Sequence, residues 1–207
     1  LNIFLLSGLL AFDQKKVDSM TTVLEQKLTD EHRMEVLIAL SRAHYYYNAT
    51  KGLEYARRAL SISQRTANKK QEANAYYTIA INNYYLNRYD EAITYTQKAM
   101  NIFIQLKQEE DHIKALNTIG ALYYQKEQHD VAYRYYDSVI VMSERTGNAS
   151  MLTKAYHNKA MINQDVGEYR EAIKWFRLSL KLEKDSVGMA ETYNSIGLLY
   201  KELIDTQ

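Results

Sequence analysis

The chain has 207 residues, of which 46% are hydrophobic and 25% are charged, which excludes a disordered chain and allows a buried core. Its 26 basic and 25 acidic residues leave a net charge of +1, so no whole-molecule field attracts nucleic acid, and we expect no nucleic acid partner. Cysteine and proline are absent, which excludes thiolate and disulfide chemistry and favours long, uninterrupted helices.

The first segment, residues 1–12, is the most apolar stretch of the chain. It is shorter than the roughly 20 residues that a membrane-spanning helix needs. Two interpretations are open for residues 1–14: the remnant of a secretory signal, cleaved near Ala11 to Gln14, or an N-terminal capping helix. We assign residues 1–29 to a leading segment that includes a helix from about Lys15 to Leu28.

Small and apolar residues recur at an interval of 40 residues along the rest of the chain. Three series keep this interval throughout: Gly52, Ala92, Ala132 and Ala172; Ala59, Ala99, Val139 and Ser179; and Ala75, Ala115 and Ala155. A fourth series, Ala80, Gly120, Ala160 and Gly197, ends with a step of 37, which predicts a shorter last linker. Small residues at fixed positions allow two helices to approach closely, so the series predict a stack of helix pairs.

Within each period the apolar residues are spaced by three and four, which predicts two helices per repeat. The predicted helices cover residues 31–46, 50–66, 70–86, 89–106, 111–126, 129–145, 150–166, 169–184 and 188–203. Polar or glycine-containing turns are expected at residues 67–68, 87–88, 109–110, 127–128, 147–148 and 166–167. The predicted fold is all-α, a right-handed superhelical solenoid of antiparallel helix pairs.

These positions resemble the tetratricopeptide repeat family, whose repeats place aromatic, glycine and alanine residues in fixed slots. The third and fourth repeats carry the pattern at Leu116, Ile119, Gly120, Tyr123, Ala132 and Tyr136, and at Tyr156, Ala160, Gly167, Tyr169, Ala172 and Phe176. The resemblance covers about residue 31 to the end. It implies one array of about four repeats over residues 30–207, with an unpaired C-terminal helix.

The chain departs from the usual family pattern in its period of 40 rather than 34 and in its lack of proline. The first repeat is weak, since glycine replaces alanine at Gly52. The long form is similar to repeat arrays of bacterial signalling proteins. In one such group an exported repeat region precedes a membrane helix and a histidine kinase or transcriptional regulator. This resemblance implies an exported or periplasmic sensor region, with a cytoplasmic location as the alternative.

The resemblance also implies that the first helix of each pair lines a concave binding face. The candidate peptide- or protein-binding residues on that face are Asn74, Tyr77, Tyr84, Tyr85, Lys114, Asn117, Tyr124, Gln125, Lys154, His157 and Gln164, with Asp165 beside them. Tyrosines give contact area and amides bind a peptide backbone, so the expected partner is a peptide or a protein.

No catalytic or metal-binding motif is present in the sequence. The five histidines are scattered singly, and no glycine-rich phosphate loop occurs. We therefore expect no enzymatic activity, no cofactor and no metal.

Three functional hypotheses remain open from the sequence. The first is a binding and sensing module that passes a signal to an output domain; the second is a structural adaptor or oligomerisation scaffold. The third is a cytoplasmic receptor for signalling peptides. A homodimer through the C-terminal helix is a further expected partner, since Ile196, Leu199 and Leu203 form an apolar side and the chain stops where a next helix is expected. We expect membrane contact only through regions outside the given chain.

Overall fold

The computed structural model describes the backbone of residues 3–205 and the side chains of residues 14–204. Over these residues the secondary structure consists of ten α-helices: α1 (Ile3–Leu24), α2 (Asp30–Ala43), α3 (Ala49–Arg65), α4 (Lys69–Tyr85), α5 (Tyr89–Gln105), α6 (Glu109–Gln125), α7 (His129–Thr146), α8 (Ala149–Asp165), α9 (Tyr169–Leu182) and α10 (Ser186–Asp205). In the described part of the chain, no helix is both long and apolar enough to cross a bilayer. The side chains of residues 1–13, which decide between a signal remnant and a capping helix, lie outside the described residues.

The helices confirm the all-α prediction and the interval of 40, because α4, α6 and α8 begin at residues 69, 109 and 149. Four details were predicted wrongly. Helix α1 begins at Ile3 rather than near Lys15, and α2 ends at Ala43, which leaves Tyr45 in a turn. The turn expected at residues 109–110 lies two residues earlier. The final shortening lies in helix α9, which has 14 residues, and the linker after it keeps the usual length of three.

One left-handed residue stands in the turn after each of six helices, at intervals of 20 residues. These residues are Ala67, Asn87, Lys107, Glu127, Gly147 and Gly167. In each turn the following N–H bonds the carbonyl five residues earlier, as Gln128 N does with Tyr123 O at 2.9 Å. This arrangement is a Schellman motif, which satisfies carbonyls that the end of a helix leaves without a partner. The motif ends each of the six helices, and the next helix begins after a link of two or three residues.

The chain forms two compact units, residues 1–108 with α1–α5 and residues 109–207 with α6–α10. The core of the first unit contains Val17, Leu37, Leu40 and Tyr55 with the small residues Ala59 and Ala75. The core of the second unit contains Ala160, Ala172, Phe176, Ile196 and Leu199. The small-residue series therefore occupies helix contacts, as predicted: Ala92, Ala132 and Ala172 are fully buried. Gly197 is the exception, because it is exposed and a Cβ there would meet open space.

Candidate functional site

An open groove of about 610 Å³ lies on the first unit, along one face of α2. Lys16 of α1 lines it on one side, and Gln71 and Asn74 of α4 line it on the other. The remaining lining residues come from α2 and the turn after it: Glu35, Ile38, Ala39, Arg42, Ala43 and Tyr46. Most of these are spaced by three and four residues, so they follow one helical stripe. The groove is therefore built mainly by a single helix that two neighbours flank.

The directions of the three helices place the lining residues along the groove. Helix α1 runs antiparallel to α2, because Arg33 Nη1 donates to Leu24 O at 3.3 Å where α1 ends and α2 begins. Helix α4 runs in the same direction as α2, because Asn82 Nδ2 donates to Ser41 Oγ at 2.8 Å near the end of both helices. Lys16 therefore lies towards the end of α2, and Asn74 lies towards its beginning.

The groove has two chemically different ends. Glu35, Gln71 and Asn74 form the acidic end, where Asn74 Nδ2 donates to Gln71 Oε1 at 3.2 Å. Lys16, Arg42 and Tyr46 form the basic end. Between the ends, Ile38 and Ala39 supply an apolar floor. On such a surface, charged groups can orient a ligand and the apolar area can contact it.

A cluster of tyrosines extends the basic end. The ring of Tyr85 lies 4.9 Å from Tyr46, 6.0 Å from Tyr45 and 5.2 Å from Tyr84, measured between centroids. Burial raises the pKa of Tyr45 to about 12. Burial, followed by the hydrogen bond with Tyr46, also raises the pKa of Tyr85. Both phenols therefore stay protonated up to a higher pH than an exposed tyrosine.

Comparison with known proteins identifies the repeats. Residues 47–105 and residues 153–186 each match a family described as tetratricopeptide repeat. The chain carries tetratricopeptide repeats. The groove in the first unit lies on α2, which precedes the first match, and on α4, which lies within it.

The chain is similar to a curated bacterial protein and to several solved structures. The chain is 24% identical over 199 residues to response regulator aspartate phosphatase E of Bacillus subtilis (strain 168), which covers 93% of this chain and 52% of the relative. A solved structure of a Rap protein complexed with competence and sporulation factor has a TM-score of 0.78 and 17% identity, over 97% of this chain and 62% of that one. A structure of NprR in complex with its cognate peptide NprX has a TM-score of 0.73 and 20% identity, over 93% of this chain and 56% of that one. These structures share the fold, and this chain spans a little over half the length of the relative.

The structure brings three of the predicted residues of the first unit to the groove or to its tyrosine cluster. Asn74 lines the acidic end, and Tyr85 is at the centre of the tyrosine cluster. Tyr84 joins that cluster from the side of Tyr89, at a centroid distance of 6.0 Å. Tyr77 is half-buried and packs edge-on against Phe103 at 6.4 Å, so part of its ring supports the repeat core.

In the second unit, several predicted residues of the tetratricopeptide repeats link helices α6 and α8. Tyr124 Oη donates to Asp165 Oδ2 at 2.5 Å, and Asn158 Nδ2 donates to Asn117 Oδ1 at 3.2 Å. Lys114 forms ion pairs with Glu110 at 2.8 Å and Asp111 at 3.3 Å on its own helix. These side chains already have partners within the fold.

The remaining predicted residues of the second unit differ in exposure. Gln125 and Lys154 are exposed, whereas His157 packs edge-on against Phe176 at 5.1 Å. Burial lowers the pKa of His157, while Glu191 and Glu183 act in the opposite direction. Gln164 is half-buried, and among the described residues no hydrogen-bond donor reaches its buried Oε1.

The sequence analysis missed the residues of α1 and α2 that build most of the groove. The predicted binding face begins with Asn74 on α4. The run of tyrosines at residues 45–47 was a usable signal, since Tyr46 is 83% exposed at the basic end. Within the described residues, no cluster of three or more histidine, aspartate or glutamate side chains is placed to hold a metal ion.

Proposed function

We propose that this protein is a non-catalytic binding module that holds a short, extended peptide segment in the groove along α2. The observation that carries the proposal is the combination of an apolar floor, two polar ends and a cluster of tyrosines on one open face of the first unit. Extended peptides need apolar contact for affinity and polar groups for orientation, and this surface supplies both.

The solved relatives support a peptide or protein as the ligand. NprR, which shares the fold, is solved with its cognate peptide, and the Rap protein is solved with competence and sporulation factor. The relative from Bacillus subtilis is named a phosphatase and this chain matches 52% of it. Our proposal assigns a binding role to this chain and no catalytic step.

We further propose that the module is the sensory or interaction region of a bacterial signalling protein, such as a histidine kinase or a transcriptional regulator. The relative named for response regulators supports a signalling setting. The first-helix residues of the second unit, notably the exposed Gln125 and Lys154, are proposed as a separate contact surface of the same kind.

Selection of random heptapeptides by phage display against the whole chain tests the proposal. We expect enriched peptides whose affinity falls at least tenfold in Ala39→Trp, since the indole fills the groove floor. Ser61→Trp, at an exposed position of α3, is the matched control and should bind as the parent does. Affinities are measured by calorimetry on purified proteins with matched circular dichroism spectra.

Equal affinity of the selected peptides for the parent and Ala39→Trp would reject the groove as the binding site. Loss of binding in both tryptophan variants, with folding intact, would also reject it. Failure of the selection to enrich any peptide would favour the adaptor hypothesis, in which the array binds folded partners.

A further inference from the structure

The charged residues of the groove are separated by sign along its length. Glu35 at the acidic end and Arg42 at the basic end are seven residues apart on α2. A helix rises 1.5 Å per residue, so the two positions are about 10 Å apart along the axis. Lys16 adds a second cation at the basic end, and all three charged side chains are exposed. The groove therefore presents one negative and one positive end across an apolar floor.

The separation of these ends corresponds to three residues of an extended peptide. A polyproline II segment advances about 3.1 Å per residue with three residues per turn. Two side chains three positions apart then lie on the same side, about 9 Å from each other. A tripeptide in extended form also spans about 10 Å between its terminal ammonium and carboxylate.

We propose that the groove selects a peptide segment carrying a cation and an anion about 10 Å apart, with small or apolar residues between them. The cation binds at Glu35, Gln71 and Asn74, and the anion binds at Lys16 and Arg42. This inference rests on the proposed peptide-binding function and adds the charge pattern of the ligand. Side chains within a longer peptide and the free termini of a tripeptide are two sources of the same chemistry.

Four blocked pentapeptides test the charge pattern. They are N-acetylated and C-amidated forms of Lys-Ala-Leu-Glu-Ala, Glu-Ala-Leu-Glu-Ala, Lys-Ala-Leu-Lys-Ala and Ala-Ala-Leu-Ala-Ala. Binding is followed by chemical-shift changes of the ¹⁵N-labelled whole chain at low ionic strength, because salt screens exposed charges. We expect the peptide with lysine and glutamate to bind tightest, with about fivefold weaker binding for each mismatched charge. The unblocked tripeptide Ala-Leu-Ala shows whether free termini can replace the side chains.

Charge reversals of the protein should change which peptide binds best. Glu35→Lys is expected to prefer the peptide with two glutamates, and Lys16→Glu with Arg42→Glu to prefer the peptide with two lysines. Glu25→Lys and Arg57→Glu are matched controls at exposed positions outside the groove lining, and they should keep the parent's order. If these residues acted only in folding, the charge-reversed variants would not prefer a different peptide from the parent.

Equal affinity for all four pentapeptides, or an order that the reversals leave unchanged, would overturn the charge pattern. Failure of the charge pattern can be distinguished from failure of the proposed peptide-binding function. If phage-selected peptides lose affinity in Ala39→Trp but show no pairing of opposite charges, peptide binding stands and the charge pattern is rejected.

Discussion

At the scale of single residues, Gly52 shows how a small side chain and a polar network depend on each other. Ser41 Oγ donates to Gly52 O at 2.6 Å, and Asn82 Nδ2 donates to Ser41 Oγ at 2.8 Å. A Cβ at Gly52 would lie 2.0 Å from Asn82 Oδ1 and 3.0 Å from Ser41 O. The glycine that weakens the match to the family is therefore required by the buried amide of Asn82.

Replacing Gly52 by alanine should lower the free energy of unfolding by about 1–3 kcal/mol, because the methyl group overlaps Asn82. Urea denaturation measures the change. In the background of Asn82→Ala, where the amide is absent, the same replacement should cost clearly less. Equal costs in the two backgrounds would show that Gly52 and Asn82 are not coupled.

At the scale of elements, the six left-handed residues set the lengths of the helices between them. Only Gly147 and Gly167 are glycines at these positions, and Glu127, Lys107, Asn87 and Ala67 adopt the same conformation with a side chain. The left-handed region costs an ordinary L-residue about 1–2 kcal/mol. The four non-glycine turns therefore carry a conformational cost, which the rest of the folded chain offsets.

Glycine at one of these turns should stabilise the protein. We expect Glu127→Gly to raise the free energy of unfolding by about 0.5–1 kcal/mol, since relief of strain exceeds the added flexibility of the unfolded chain. Glu127→Ala keeps the strain and serves as the control. Gly147→Ala should destabilise the protein by a similar amount through backbone strain alone. A Cβ at this position would have no atom within 4 Å, so the substitution changes no packing contact. Thermal denaturation that ranks Glu127→Gly at or below Glu127→Ala would contradict this account.

At the scale of the whole molecule, the chain consists of two compact units, each with its own core. Stacked repeats contact mainly their neighbours, so a local change should have a local effect. The assignment of residues 30–207 to one array stays a prediction.

Hydrogen exchange should therefore report the two units separately. Gly52→Ala is expected to raise amide exchange in α2–α4 while α8 and α9 keep the protection of the parent chain. Phe176→Ala, which empties a fully buried site of the second unit, should do the reverse. An increase spread evenly over both units in either variant would show that the chain opens as one cooperative body.

The sequence by itself determined the helical class, the interval of 40 and most helix ends. Helices can approach closely only where their side chains are small. Ala92, Ala132 and Ala172 lie 40 residues apart and are fully buried, as this condition requires. Helices and their spacing can be predicted from the sequence because they depend on residues that are only a few helical turns apart. The turn at Lys107 was misplaced by two residues, because Glu109 and Glu110, which were assigned to the turn, form the start of α6.

Only the tertiary structure decided which side chains form the groove. Lys16, Arg42 and Asn74 come from three helices, and their meeting depends on the directions and offsets with which those helices pack. The same packing gave Asn117 and Tyr124 partners on α8, although the family resemblance had implied that they are free contact residues. Distances between helices follow from the summed packing of many side chains, which no single position in the sequence encodes.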